Sequence, residues 1–439
     1  MITKEQKDIA QECLDFALKN GCEEARISFA VSDNNSFEYR NTQLDKLQQS
    51  TENKLYIELF TQGRYGAFST NRLERDELYS LIQEGIVSTR FLAEDLCRRL
   101  PDSSRYFNRE ETDLELFDES YDSISVANKI DLLKQTTEEV YGKDKRVISV
   151  TSAYEDNRSA EYMLASNGLE VFSQDSSFSI SSEVSMKTET DARPESYWFD
   201  SAIFWQDLQK EGIAHKAFDR ALGKIGQQKA ASGKYQMLLD NTQSTRMLSP
   251  LISAIMGTAI QQKNSFLIDK LGQTIASPLV NLSDTPHLPH SFGSRWYDGE
   301  GVATSDRKIL ENGVLQTYFI DTYNSLKMNV QPTISTPSVL NFGLGETDFN
   351  GLLRQTENGI WVSGFNGGNT NPTTGDFSMG IEGFLIKDGA VVCPINEMNV
   401  TGNILDIWKS LIAAGNDPRE HSPWKIPALL FDNVSFNGM

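Results

Sequence analysis

Side chains able to do chemistry are sparse in this sequence. It has four histidines and four cysteines in 439 residues. Two of the histidines, His287 and His290, form an HxxH in "TPHLPHSFGSRWYDGEG", with Asp298 and Glu300 shortly after. Two imidazoles and a carboxylate can hold zinc and leave a position open for water. The flanking prolines argue for a rigid loop, where HxxH is a weak spacing for a metal. His215 falls in a helical pattern as a surface residue, and His421 in the polar loop "DPREHSPW". Cys393, in "AVVCPIN", has no histidine near it in sequence and reads as a small buried hydrophobe. No GxSxG elbow supports Ser-His-Asp chemistry. The glycine-dense "WVSGFNGGNTNPTTGDFSMGIEGFLI" holds no GxxxxGK[ST]. Tight turns between strands explain those glycines better, because glycine supplies positive φ.

Composition narrows the classes further. A net charge of −20 repels phosphate backbones and anionic membrane surfaces. The opening "MITKEQKDIAQ" is polar and helical in pattern, unlike a signal peptide. No apolar run approaches the roughly 18 residues of a membrane span. Cys13, Cys22, Cys97 and Cys393 are scattered without a CxxC, so a reduced, cytoplasmic protein is expected.

The elements that must position any site follow from periodicity. A first helix runs from about Lys4 to Asn20, with Ile9, Cys13, Phe16 and Ala17 on one face and Gly21 as the stop. Strand-like stretches "ARISFAVSD", "SFEYRN", "LDKLQQS", "KLYIELFTQ" and "RYGAFST" follow, separated by Asn, Asp and Gly turns. A helix over about 72–92 closes the segment. The order then repeats: a helix over about 126–141, more strands, and a helix over about 208–229. This predicts an N-terminal α+β domain over residues 1–231, with possible subdomains 1–105 and 120–231.

From Ser232 onward, glycine, asparagine, proline and threonine punctuate short β-like runs. A β-rich domain over residues 232–439 is expected, with two helices. One spans about 404–414 and ends at Gly415. The other is "SPLISAIMGTAIQQ", with Ser249 as cap and Pro250 at the first helical position. Leu248, Leu251, Ile252, Ile255, Met256, Ala259 and Ile260 make its buried stripe. Gly257 costs an exposed helix ~1 kcal/mol relative to alanine, so its presence predicts close approach of another backbone. The fold class is therefore α+β: helix-flanked antiparallel sheets, then a large, mostly antiparallel β domain with a buried helix.

Several blocks, in order, resemble the TldD/TldE (PmbA) family, also called modulators of DNA gyrase. They are "RNTQLDKLQQSTENKLYIELFTQGRYGAFST", "SFLIDKLGQTIASPLVNLSD", "DGEGVATSDRKILENGVLQTYFIDTYNSLKM" and "GGNTNPTTGDFSMGIEGFLIKDGAVVCPINEMNVTGNILDIW". The resemblance covers nearly the whole chain. It implies a heterodimeric zinc metallopeptidase in which the TldD kind carries HExxxH and a late cysteine, and the TldE/PmbA kind carries neither. The HExxxH positions would fall at Ile252, Ser253 and Gly257, none a zinc ligand or general base. The tail "HSPWKIPALLFDNVSFNGM" has no cysteine. The resemblance thus implies a TldE-like, non-catalytic subunit with no cofactor of its own. Its partner would be a zinc-bearing TldD-like chain, and a homodimer of the same architecture is possible. It also places Gly367, Gly368, Asn369 and Asp376 near a cleft for an unfolded peptide, which a sheet edge could bind by strand addition. Two alternatives stand beside it: a stand-alone metal-dependent peptidase using His287 and His290, and a regulator acting through protein contacts.

Overall fold

The computed structural model describes residues 2–108, 112–189 and 192–438. The first unit is α1 (Lys4–Lys19), β1 (Glu24–Arg40), β2 (Gln43–Thr61), β3 (Arg64–Thr70) and α2 (Arg75–Thr89). The second repeats it: α3 (Val126–Glu138), β4 (Val147–Ala165), β5 (Glu170–Met186), β6 (Glu195–Ala202) and α4 (Ile213–Gly223). All six strands form one antiparallel sheet, ordered β3-β2-β1-β4-β5-β6, so the two units meet along the β1–β4 pair.

The helices lie on one face of this sheet. Ile9, Cys13 and Ala17 of α1 and Leu78 and Ile82 of α2 pack on Ile27, Phe29, Leu55 and Ile57. Leu132 and Leu133 of α3 pack on Phe37, Tyr154, Phe178 and Ile180. The helices are shorter than their periodicity predicts. α4 begins only after Gly212, where the Glu139 carboxylate accepts from the amides of Gly212, Ala214 and His215 at 2.7, 3.0 and 3.3 Å. A carboxylate at a helix start satisfies orphan donors and suits the dipole.

The predicted turns inside β1 and β2 are absent, and each is a single strand of 17 or 19 residues. For β1 the reason is a polar ladder to β4. Arg158 Nε donates to Asp33 at 2.7 Å, Asn157 Nδ2 to Asn34 at 2.7 Å, and Asn35 Nδ2 to Asp156 at 2.7 Å. Side chains that would otherwise bond their own backbone in a turn are engaged by the neighbouring strand.

The second half opens with β7 (Gly233–Leu239), α5 (Ser244–Ala254) and α6 (Gly257–Gln261). Next come β8 (Leu282–Asp284), β9 (Arg307–Glu311), β10 (Val314–Leu315), α7 (Thr322–Met328), β11 (Leu340–Phe342) and α8 (Phe349–Gln355). The chain finishes with β12 (Asn358–Thr370), β13 (Asp376–Lys387), β14 (Ala390–Asn403), α9 (Ile404–Lys409), β15 (Leu411–Ala414), β16 (Trp424–Lys425) and β17 (Leu429–Gly438). Strands β14-β13-β12-β7-β17 close on themselves through β14–β17 pairing, and β15 adds to β17. Closure removes free edges. A small sheet β10-β9-β8-β11-β16 stands beside this barrel. The helix expected to reach residue 414 stops at Lys409, because Leu411–Ala414 pair with β17. Trp408, fully buried, donates from Nε1 to the Met247 carbonyl at 3.2 Å and locks α9 to α5. Among the described residues, no helix is long and apolar enough to cross a membrane.

Candidate functional site

The helix predicted over 249–262 is two helices. α5 starts at Ser244, five residues before the expected cap, and Pro250 lies inside it. Proline there has no N–H for the carbonyl four residues back, that of Arg246. The chain turns extended at Met256 (φ −73°, ψ 138°) before α6 begins. The break has a local cause. Phe319 N donates to Ile255 O at 3.0 Å, and Gly257 N donates to Phe319 O at 2.6 Å. A Cβ on Gly257 would stand 2.9 Å from Phe319 O and 3.1 Å from Ile320 Cα. The close backbone approach expected at this glycine is therefore present, at the start of α6.

Only part of this segment faces open space. Ile252 is 5% exposed and belongs to the core, and Gly257 is packed against residues 319–320, so neither reaches a cleft. Ser249, Pro250, Ser253 and Ala254 line a cavity of about 460 Å³ with Arg246. At the spacing i, i+1, i+5 that HExxxH requires, the residues lining this cavity are Ser249, Pro250 and Ala254, the last only 4% exposed. This differs from the register predicted for Ile252, Ser253 and Gly257, of which Ser253 alone lines the cavity. No residue lining the cavity is a His, Cys, Asp or Glu, so this side of the helix does not fit a zinc ion.

The opposite wall is the end of β12. Its register against β13 shifts between Asn366 and Asn369, where Gly367 (φ +75°) and Gly368 (φ +87°) form a bulge. A Cβ on Gly368 would lie 2.2 Å from Ser378 O. Gly368, Asn369 and Thr370 line the cavity, with Asn264, Phe266, Pro372 and Met379 as its floor. Two more cavities adjoin. One of about 610 Å³ shares Arg246 and Ser249 and is lined by Tyr197, Phe365, Gly367 and Trp424. Another of about 440 Å³ lies past Gly368 and holds Glu382 and Glu397. These acids are neutralised by Lys224 at 2.6 Å and Lys229 at 3.0 Å.

Of the predicted cleft residues, Gly367, Gly368 and Asn369 lie on these walls, but Asp376 does not. Its carboxylate accepts from Asn403 Nδ2 at 3.0 Å and Thr374 Oγ1 at 2.7 Å, and these bonds hold it below the usual carboxylate range. It braces the turn before β13 instead.

The HxxH residues are not brought together as a ligand set. His287 Nε2 lies 2.8 Å from Thr304 Oγ1, its ring 4.3 Å from that of Trp296. His290 Nε2 is 2.8 Å from Asp207 Oδ2, and its ring stacks on Phe204. Asp298 accepts from the amides of Glu300, Val302 and Ser335 at 2.9, 3.0 and 2.9 Å. Glu300 accepts from Thr322 N and Oγ1, both at 3.0 Å, and burial raises its pKa. His287, Asp298 and Glu300 hold loops within the second half, and His290 ties its loop to the first half. Among the described residues, no group of three or more His, Cys, Asp or Glu is placed to hold a metal ion.

Sequence reasoning missed Arg246. With α5 begun at Ser244, Arg246, Ser249, Pro250 and Ser253 form a stripe at helical spacing opposite Met247, Leu248 and Leu251. An earlier helix start would have revealed it.

Comparison with known proteins places this arrangement. Residues 232–438 match the PmbA/TldA metallopeptidase C-terminal domain, and residues 119–225 the PmbA/TldA metallopeptidase central domain. The chain is 25% identical to a metalloprotease PmbA homologue of Haemophilus influenzae, covering 99% of this chain and 96% of that protein. A solved structure of a candidate modulator of DNA gyrase from Bacteroides thetaiotaomicron is 50% identical over the full length of both chains, with a TM-score of 0.98. TldE from Thermococcus kodakarensis, 19% identical, shares the fold, with a TM-score of 0.86 over 98% of this chain and all of that one. With two family domains in order and a half-identical full-length neighbour, the chain belongs to the PmbA/TldD metallopeptidase family.

Proposed function

We propose that this chain is a peptide-holding subunit of a zinc peptidase assembly and that it carries no zinc itself. The observation that carries this reading is the cavity-lining side of α5. At the spacing of HExxxH it carries Ser249, Pro250 and the nearly buried Ala254, which offer neither imidazole nor carboxylate. The wall that would hold a peptide is nevertheless built, down to a bulge that only glycine fits at Gly368. A TldD-like partner of the same family would supply HExxxH and the zinc. This chain would contribute walls and hydrogen-bonding groups that keep an extended peptide in place and shielded from bulk water. The narrow cavities suit flexible chains and exclude folded proteins. Such an assembly would process unfolded peptides in the cytoplasm.

The name gyrase modulator borne by structural neighbours suggests a regulator acting through protein contacts. The charge of −20 disfavours direct contact with DNA in that role.

The test has two parts. Purified alone and dialysed against a weak chelator, the chain should retain near-zero zinc and cleave no unfolded peptide. Mixed with the HExxxH paralogue at micromolar concentration, it should co-elute and raise peptidase activity. One zinc per chain, or activity without a partner, would falsify the subunit reading.

A further inference from the structure

We propose that Arg246 is a carboxylate-binding residue, and that the cavity it overhangs takes the C-terminal carboxylate or an Asp or Glu side chain of a bound peptide. The proposal rests on the peptide-holding reading above and names the chemistry that cleft selects.

Charge supplies the first argument. The protein carries 61 acidic against 41 basic residues, so an acid-free concavity is not the default. Yet neither of the two cavities that Arg246 lines has an acidic residue in its walls. The third cavity, past Gly368, is the contrasting case, with two glutamates each held by a lysine. Arg246 is exposed, and its guanidinium donates to the Gly368 carbonyl at 3.4 Å, a long bond that leaves most of the fork available. A planar guanidinium matches a carboxylate through two parallel bonds, which a lysine cannot reproduce.

The second argument is the rest of the wall. Ser249 and Ser253 add hydroxyls, and Asn264 and Asn369 add amides that can donate. The floor is apolar, through Phe266 and Met379. An anionic head beside an apolar residue suits this mixture.

The experiment is fluorescence anisotropy with four labelled, unstructured decapeptides of one parent sequence. One has a free C-terminus and no internal acid, and one has a C-terminal amide and no internal acid. The other two carry the amide and a central Glu or Gln. Each is titrated with the full chain, and again with the HExxxH partner present. The free acid or the Glu peptide should bind about tenfold or more tighter than its neutral counterpart, as a charged hydrogen bond gives. Arg246→Gln should abolish that preference, read as the ratio of acidic to neutral peptide affinity, and Arg246→Lys should restore part of it. Which acid shows the preference identifies the source of the carboxylate. Equal binding of all four peptides, weakened by Gly368→Trp, overturns the carboxylate assignment and leaves the peptide-holding reading standing. No binding of any peptide, with or without the partner, overturns both.

Discussion

Arg246 donates from Nη2 to the carbonyl of Gly368, so a helix residue and a strand bulge meet across the mouth of one cavity. The contact depends on the bulge keeping its shape, and two adjacent glycines differ in how they maintain it. A Cβ on Gly367 would have nothing within 4 Å, whereas a Cβ on Gly368 would collide with the Ser378 carbonyl at 2.2 Å.

Replacing each glycine by alanine separates backbone conformation from packing. Gly367→Ala pays only for a positive φ, about 1–2 kcal/mol. Gly368→Ala adds a backbone collision and should cost at least about 1 kcal/mol more. Urea unfolding of the two variants reads the difference. Equal losses would mean that the bulge is not held as described.

The site's legibility in the sequence follows a physical line. The α1 stripe of Ile9, Cys13 and Ala17 is local, so its periodicity suffices. The meaning of Gly257 was also legible, because a glycine inside a good helix pattern implies a close neighbour. The helix break beside it was not, since its cause is Phe319, more than sixty residues away. Likewise Asp33, Asn34 and Asn35 have turn chemistry, and only Arg158, Asn157 and Asp156 on β4 turn them into strand. Residues whose partners lie far along the chain were read by their local preference, and that preference lost. Arg246 was hidden for the same reason: Pro250 looked like a helix start because tolerance of an internal proline depends on tertiary packing.

Glu300 gives a pH test of whether it is a structural acceptor. Burial is the main cause of its raised pKa, Asp298 adds to it, and the Thr322 amide opposes it. A carboxyl raised in the folded state favours folding below its ordinary value of 4.5, and that advantage is lost as pH rises through the folded value. Glu300→Gln keeps an acceptor for Thr322 and cannot ionise. Its stability relative to the parent should therefore increase from pH 4 to pH 8. Urea titrations at both ends measure this, and a relative stability that falls with pH would contradict the assignment.

His290 decides between a metal ligand and a tie between the two halves. Its Nε2 lies 2.8 Å from Asp207 Oδ2, its ring stacks on Phe204 at 4.5 Å, and its own amide donates to Leu114 O at 2.8 Å. All three partners come from the first half of the chain, while His290 sits in the loop after β8. Alanine at this position removes the ring's contacts and keeps the amide bond. The His290–Asp207 contact is part-exposed, so the loss should be about 1 kcal/mol. It should appear as a lower denaturation midpoint and as earlier proteolysis near residues 112–120. His287→Ala with His290→Ala should leave zinc content as it is in the parent, measured after dialysis against a weak chelator. A parent that holds one zinc per chain and a double variant that holds none would return these histidines to the metal, and with them the stand-alone peptidase.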